Sequence, residues 1–178
     1  MKDFPRLIPL LCYCLLIPTA VARTPVTHIS MDFVVGLPWS DGYDAIWVLV
    51  DRLTKQRHLV PCRSDVDTSS LADLFLRWVI RLHALPETIT SDRGPQFASH
   101  FWGRLCERLQ VGRLMSTAFH PQTHGQTERF NTVMEQYLRS YINYLQDDWS
   151  LWLPLAEFAA NNHSSDATQL SPFFALHG

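Results

Sequence analysis

From His28 onward the apolar positions of the chain switch repeatedly between a period of two and a period near 3.6. Ile29 to Leu37 (I-S-M-D-F-V-V-G-L) and Ala45 to Leu53 (A-I-W-V-L-V-D-R-L) are short β-branched and aromatic runs. The Ser40-Asp41-Gly42 cluster between them suits a turn, so they predict neighbouring antiparallel strands, with Arg57 to Pro61 as a third. Over Thr68 to Leu82, residues Leu71, Leu74, Phe75, Trp78 and Leu82 recur at helical spacing behind the potential caps Thr68, Ser69 and Ser70. After the break at Pro86, Thr88 to Ser91 reads as a short strand that delivers Asp92 to a sheet edge, with Asp92-Arg93-Gly94-Pro95 as the loop beyond it. A second helix is expected from about Ser99 to Leu109, followed by a strand over Arg113 to Ala118.

The polar, Gly- and Pro-marked segment His120 to Thr127 is expected to be a mobile loop ahead of a long helix from about Thr127 to Leu145. On that helix Phe130, Met134, Tyr137 and Tyr141 define an apolar stripe, and Glu128, Thr132, Glu135 and Arg139 fall on the opposite face. Glu128 is thereby free to meet a cleft. A last helical stretch contains Leu151, Trp152, Leu155, Phe158 and Ala159, with Pro154 either in its first turn or kinking it. The order of elements predicts an α/β fold built on a mixed five-stranded sheet flanked by helices.

A chain of 178 residues that is 47% hydrophobic fits one globular domain with a core. Its formal charge of −2 does not mark a strong binder of polyanions, so any nucleic-acid contact has to rest on local patches or on other domains. Cys12, Cys14, Cys62 and Cys106 form no C-x-x-C pair and read as buried or idle thiols. Residues 1–27 are a leader or linker: Lys2 and Arg6 precede the apolar run Leu7 to Ile17, and Ala20-Val21-Ala22 resembles a signal-peptide cleavage site. Pro9 and Pro18 interrupt that run, which also fits an extended linker and is too short for a membrane span. The catalytic unit is expected over 28–178.

Three acids sit where chemistry can use them: Asp32 inside the first strand, Asp92 at a strand end, and Glu128 in the first turn of the long helix. An Asp within an apolar strand is costly to bury unless it is paired or bound to metal, and Met31-Asp32-Phe33 offers no adjacent basic partner. Converging carboxylates repel one another unless cations compensate them. Two Mg2+ (or Mn2+) ions roughly 3.5–4 Å apart provide that charge, and together they activate an attacking oxygen and stabilise a leaving one. Magnesium takes oxygen ligands, so no histidine or cysteine cage is required.

Asp92 and Glu128 have 35 residues between them, and each lies in a specific phrase, T-I-T-S-D-R-G-P-Q-F and T-A-F-H-P-Q-T-H-G-Q-T-E-R-F-N. With H-I-S-M-D-F-V-V-G-L-P, V-L-V-D-R-L-T-K and W-L-P-L-A-E-F-A-A-N-N, the sequence over His28 to Gly178 resembles the integrase catalytic core of retroviruses and, more closely, of gypsy-type LTR retrotransposons, whose signature is the D,D-35-E triad. The resemblance implies a ribonuclease-H-like fold and a polynucleotidyl transferase that cuts and joins DNA. It also implies Asp32, Asp92 and Glu128 as catalytic metal ligands, with Asn131 supporting that site.

Arg93, His120, Gln126, Arg129 and Asn131 are candidate DNA contacts, and Lys55, Arg57 and Arg139 are weighed as part of a basic path. Asp51, a fourth strand acid, reads as a satisfied structural residue near the cleft, and Trp47, Trp78, Trp102 and Trp152 read as core. Where the retroviral branch carries DNA-facing lysines, this chain has Thr132 and Glu135. DNA ends, target DNA and further copies of the chain are the implied partners. The family's upstream zinc-binding domain is not expected within these residues, nor is a membrane span. The implied location is the nucleus, or the secretory pathway if the leader is a signal peptide. The competing reading is a retroelement-derived module that keeps the fold and binds nucleic acid without catalysis.

Overall fold

The computed structural model describes residues 26–92, 94–115, 138–139, 141–165 and 167–178. The three runs with period-two patterning form β1 (His28–Val34), β2 (Ala45–Asp51) and β3 (Arg57–Cys62). Two shorter strands, β4 (Thr88–Ser91) and β5 (Gly112–Met115), complete a five-stranded sheet in the order β3-β2-β1-β4-β5. Short turns join β1 to β2 and β2 to β3, so these pairs are antiparallel. Helical crossovers return the chain to β4 and then to β5, so these run parallel to β1.

The first crossover is α1 (Thr68–Phe75), a π-helical turn (Leu76–Ile80) and α2 (Arg81–His83). The cap of α1 is Asp67, whose carboxylate accepts the Ser70 N–H at 2.7 Å, in place of the expected Thr and Ser hydroxyls. The second crossover is α3 (Pro95–Ala98) and α4 (His100–Arg108), the latter capped by the Ser99 hydroxyl.

Side-chain alternation splits the strands between two cores. Met31, Trp47, Leu49, Val60 and Ile89 pack beneath α1 and α4 with Phe75 and Trp102. Val34, Ile46, Val48 and Leu59 pack on the opposite face with Leu138, Trp149 and Leu153. The last two come from α5 (Trp149–Asn162), which holds Pro154 in its second turn; α6 (Pro172–His177) follows it. Trp47 and Trp102 are fully buried, and Trp78 and Trp152 pack partly buried against the two cores, so all four serve packing.

β3 is an outer strand whose outward backbone groups would be open to pairing with another chain. Helix α5 closes it with side chains. Asn161 accepts the Arg57 N–H and donates to the Arg57 carbonyl, both at 2.8 Å, and Glu157 accepts the Leu59 N–H at 2.8 Å. The next outward position is Pro61, which has no N–H to satisfy. The i,i+4 spacing of Glu157 and Asn161 thus matches the two-residue repeat of the strand edge.

Two stability predictions follow from these contacts. Asn161→Ala strands both backbone groups of Arg57 in a buried place and is expected to cost about 2–3 kcal/mol, read as a lower urea midpoint. Ala84, which ends α2 at φ 67 and ψ −166, occupies backbone space that suits glycine. Ala84→Gly is expected to raise stability by about 1 kcal/mol in the same assay, relief of strain outweighing the added freedom of the unfolded chain.

Candidate active site

The parallel ladder between β1 and β4 pairs Ser30 with Thr90 and Met31 with Ser91. One step further, immediately past the end of β4, it sets Asp32 beside Asp92. Adjacent strands lie about 4.8 Å apart, so the two acids are neighbours. Both follow the parity of Ser30, Val34 and Thr90 and face the side of the sheet covered by α5. Each is half-buried, which explains how an Asp is tolerated between Met31 and Phe33: it opens at the strand ends rather than into the closed core.

Local backbone groups orient both carboxylates. Asp32 Oδ1 accepts the Phe33 N–H at 2.9 Å, and Asp92 Oδ1 accepts the Gly94 N–H at 3.0 Å. Gly94 is required by this contact. A Cβ there would stand 3.0 Å from Asp92 Oδ1 and 3.4 Å from Oδ2. Pro95 then starts α3, and Phe97, fully buried, stacks on Phe33 at 5.3 Å between centroids. The phrase D-R-G-P-Q-F therefore reads as an acid, a residue too small to displace it, a helix start, and an anchor tying the loop to the strand that carries Asp32.

Glu128, Arg93, His120, Gln126, Arg129 and Asn131 lie outside the described residues, as do residues 1–25. Leu138 and Ile142, downstream of Glu128, pack against Val34, Ile46 and Val48, on the sheet face that carries Asp32 and Asp92. The helix expected to reach Leu145 has ended by Tyr141. The amides of Tyr141 and Ile142 both reach back to the Leu138 carbonyl, and Asn143 bonds Asp147 and Asp148. Such short polar side chains compete with helix continuation.

Other expectations need correction. Asp51 pairs in register with Ile29, at the far end of β1 from Asp92. Its Oδ2 closes the β2–β3 turn by accepting the Thr54 N–H at 2.9 Å and hydroxyl at 2.6 Å, so it is structural but not near the acid pair. Lys55 and Arg57 belong to this same turn end: Lys55 donates to the Arg52 carbonyl and Arg57 to the Ala160 carbonyl. An antiparallel hairpin must turn at the end opposite the outlet of β1, which removes both from the edge where the acids open. Burial pushes the Cys62 thiol up to about 12 and raises that of Cys106, so neither is a nucleophile.

One feature escaped sequence reasoning. Thr90 Oγ1 is buried without a hydrogen-bond partner on the same face as the two acids, and its position two residues before Asp92 is the signal that places it there. Two adjacent carboxylates offer hard oxygen donors that suit a divalent cation such as magnesium. Among the described residues no group of three His, Cys, Asp or Glu side chains forms a complete metal site, so a further ligand has to come from elsewhere. Also among the described residues, no helix is long and apolar enough to cross a membrane.

Comparison with known proteins agrees with this geometry. Residues 22–121 match the integrase core domain family. The Tf2-3 and Tf2-4 transposon polyproteins of Schizosaccharomyces pombe are 34% identical over 160 residues, covering 90% of this chain and 12% of each polyprotein. The chain thus spans about an eighth of the length of these relatives. The fold resembles a chain of the simian T-cell lymphotropic virus intasome, solved in complex with PP2A regulatory subunit B56 gamma, with a TM-score of 0.71 and 18% identity over 86% of this chain and 55% of that one. It also resembles the HTLV-2 integrase catalytic core domain in complex with magnesium, with a TM-score of 0.64 and 18% identity over 86% of this chain and 97% of that one. The mixed five-stranded sheet with its flanking helices is therefore the ribonuclease-H-like fold, and the chain belongs to the integrase core domain family.

Proposed function

We propose that this chain is the catalytic core of an integrase that cuts and joins DNA strands, with Asp32, Asp92 and Glu128 as its metal-binding carboxylates. The observation that carries this reading is the placement of Asp32 beside Asp92 on the face to which Leu138 and Ile142 return. Glu128 enters by the 35-residue spacing and the Q-T-E-R phrase.

Magnesium or manganese, probably best as a pair by the chemistry of phosphodiester transfer, would supply the positive charge that activates the attacking oxygen and stabilises the leaving one. The protein's own part is positional. The Phe33 and Gly94 amides fix one oxygen of each aspartate, and the Phe33–Phe97 stack keeps the loop after β4 at the strand end. Arg93, His120, Gln126, Arg129 and Asn131 are proposed to contact DNA phosphates and position the strands. With a net charge of −2, affinity for element ends and target DNA is proposed to depend on assembly into a homo-oligomer and on flanking domains. The matched HTLV-2 cores were solved in trimeric and dimeric forms, which supports self-association. A core over 28–178 and a nuclear site of action complete the proposal.

The test is joining of labelled DNA ends in magnesium, with flanking integrase domains supplied. Glu128→Gln keeps side-chain size and removes one charge, so strand transfer is expected to fall roughly 100-fold or more, about 3 kcal/mol of barrier, with the circular dichroism spectrum unchanged. Glu135→Gln is expected to retain activity within a few fold. Comparable activity in Glu128→Gln would refute the assignment, and an inactive wild type would favour a non-catalytic DNA-binding module. Gly94→Ala is expected to displace the Asp92 carboxylate and reduce strand transfer about tenfold in the same assay, while shifting stability by less than about 1 kcal/mol.

A further inference from the structure

The β3 side of the sheet holds a second polar cluster, which the proposed activity does not use. His58 Nδ1 lies 2.9 Å from Glu157 Oε1, and His58 Nε2 lies 2.7 Å from His83 Nε2 at the end of α2. Glu157 Oε2 is held by the Leu59 N–H. A carboxylate accepts, so neutral His58 carries its proton on Nδ1 and presents the Nε2 lone pair towards His83. A carboxylate that orients an imidazole through one nitrogen, leaving the other to bind, is the usual setting of a metal-ligating histidine.

Beside the two rings is a cavity of about 20 Å³, lined by Asp51, Gln56, His58 and His83 together with apolar side chains, and large enough for one water-sized occupant. Asp51 and Gln56 are 5% and 8% exposed, and Asp51 Oδ1 and Gln56 Oε1 have no hydrogen-bond partner. Both atoms accept only. The cavity therefore presents two bare oxygens, one of them on a carboxylate, next to a pair of imidazole nitrogens.

We propose that His58 and His83 bind a transition-metal ion of the zinc class between their Nε2 atoms, and that a metal-bound water in the cavity donates to Asp51 Oδ1 and Gln56 Oε1. Imidazole ligands suit zinc, at about 2.0–2.1 Å per bond, whereas magnesium takes oxygen. Tetrahedral ligation sets two such nitrogens about 3.4 Å apart, so the rings must part by roughly 0.7 Å from their hydrogen-bonded contact. That movement is why no three ligands already converge here among the described residues. The ion would tie the outer strand to the end of α2 and, through Glu157, to α5, acting as a structural clamp across the sheet edge.

The full chain, kept in excess magnesium, is titrated with zinc by calorimetry and followed by thermal unfolding. One zinc per chain and a higher Tm are expected. His83→Gln leaves the Glu157–His58 pair intact and is expected to weaken binding at least tenfold and to remove the thermal shift, whereas Asp92→Asn binds zinc as the wild type does. X-ray absorption at the zinc edge of the wild-type protein gives a check independent of any variant's folding, with two imidazole ligands expected. Zinc bound equally well by His83→Gln, an oxygen-only shell, or no binding would overturn the proposal and leave a histidine pair beside a water-filled cavity.

Discussion

Parallel pairing of β4 with β1 is the constraint on which the rest of the molecule depends. It brings Asp92 to Asp32 across 60 residues of chain, and it is possible only because helical crossovers return the chain to the same end of the sheet each time. β4 contributes just four residues to this pairing. Its position is held instead by burial, Ile89 packing wholly inside the first core, and by the aromatic contact that follows it, Phe97 on Phe33. The acid pair is thus positioned by apolar forces on one face of the sheet while its charges open on the other.

That division explains how an acidic site and a well-packed core share the same strands. In β1, Ile29 and Met31 enter one core while Ser30 and Asp32 take the opposite parity, with Val34 sealing the second core below them. The second face is closed at its β2–β3 side by α5 and Leu138. α5 in turn anchors the loop leaving β1, through the Trp149 indole on the Pro38 carbonyl at 2.6 Å and the contact between the Ser40 and Ser150 hydroxyls at 2.9 Å. The loop that follows β1 and the helix that shields its face are therefore one mechanical unit.

Charge is distributed in a way that composition cannot convey. Asp51, Lys55 and Arg57 gather at the β2–β3 turn, at the end of the sheet away from Asp32 and Asp92, and are occupied in closing that turn or binding helix carbonyls. The edge that carries the acids gains nothing from these cations. A polyanionic substrate has to be held there by other residues or other protein, which agrees with the small net charge of the chain.

The sequence by itself determined the element order, the five strands, the two aspartates at neighbouring strand positions and the family phrases that name Glu128 as their companion. These are local properties: residue parity, helical spacing, and short motifs whose chemistry does not depend on distant contacts. Tertiary structure alone decided which acids are neighbours in space and which are not. Asp51 looked like a further cleft acid because it too ends a strand, but β2 runs against β1, and strand direction carries no signature in the residues themselves. The histidine pair and the capping of β3 by Glu157 and Asn161 were hidden for the same reason: their partners lie 25, 99 and 104 residues apart, and only the folded sheet edge brings them together.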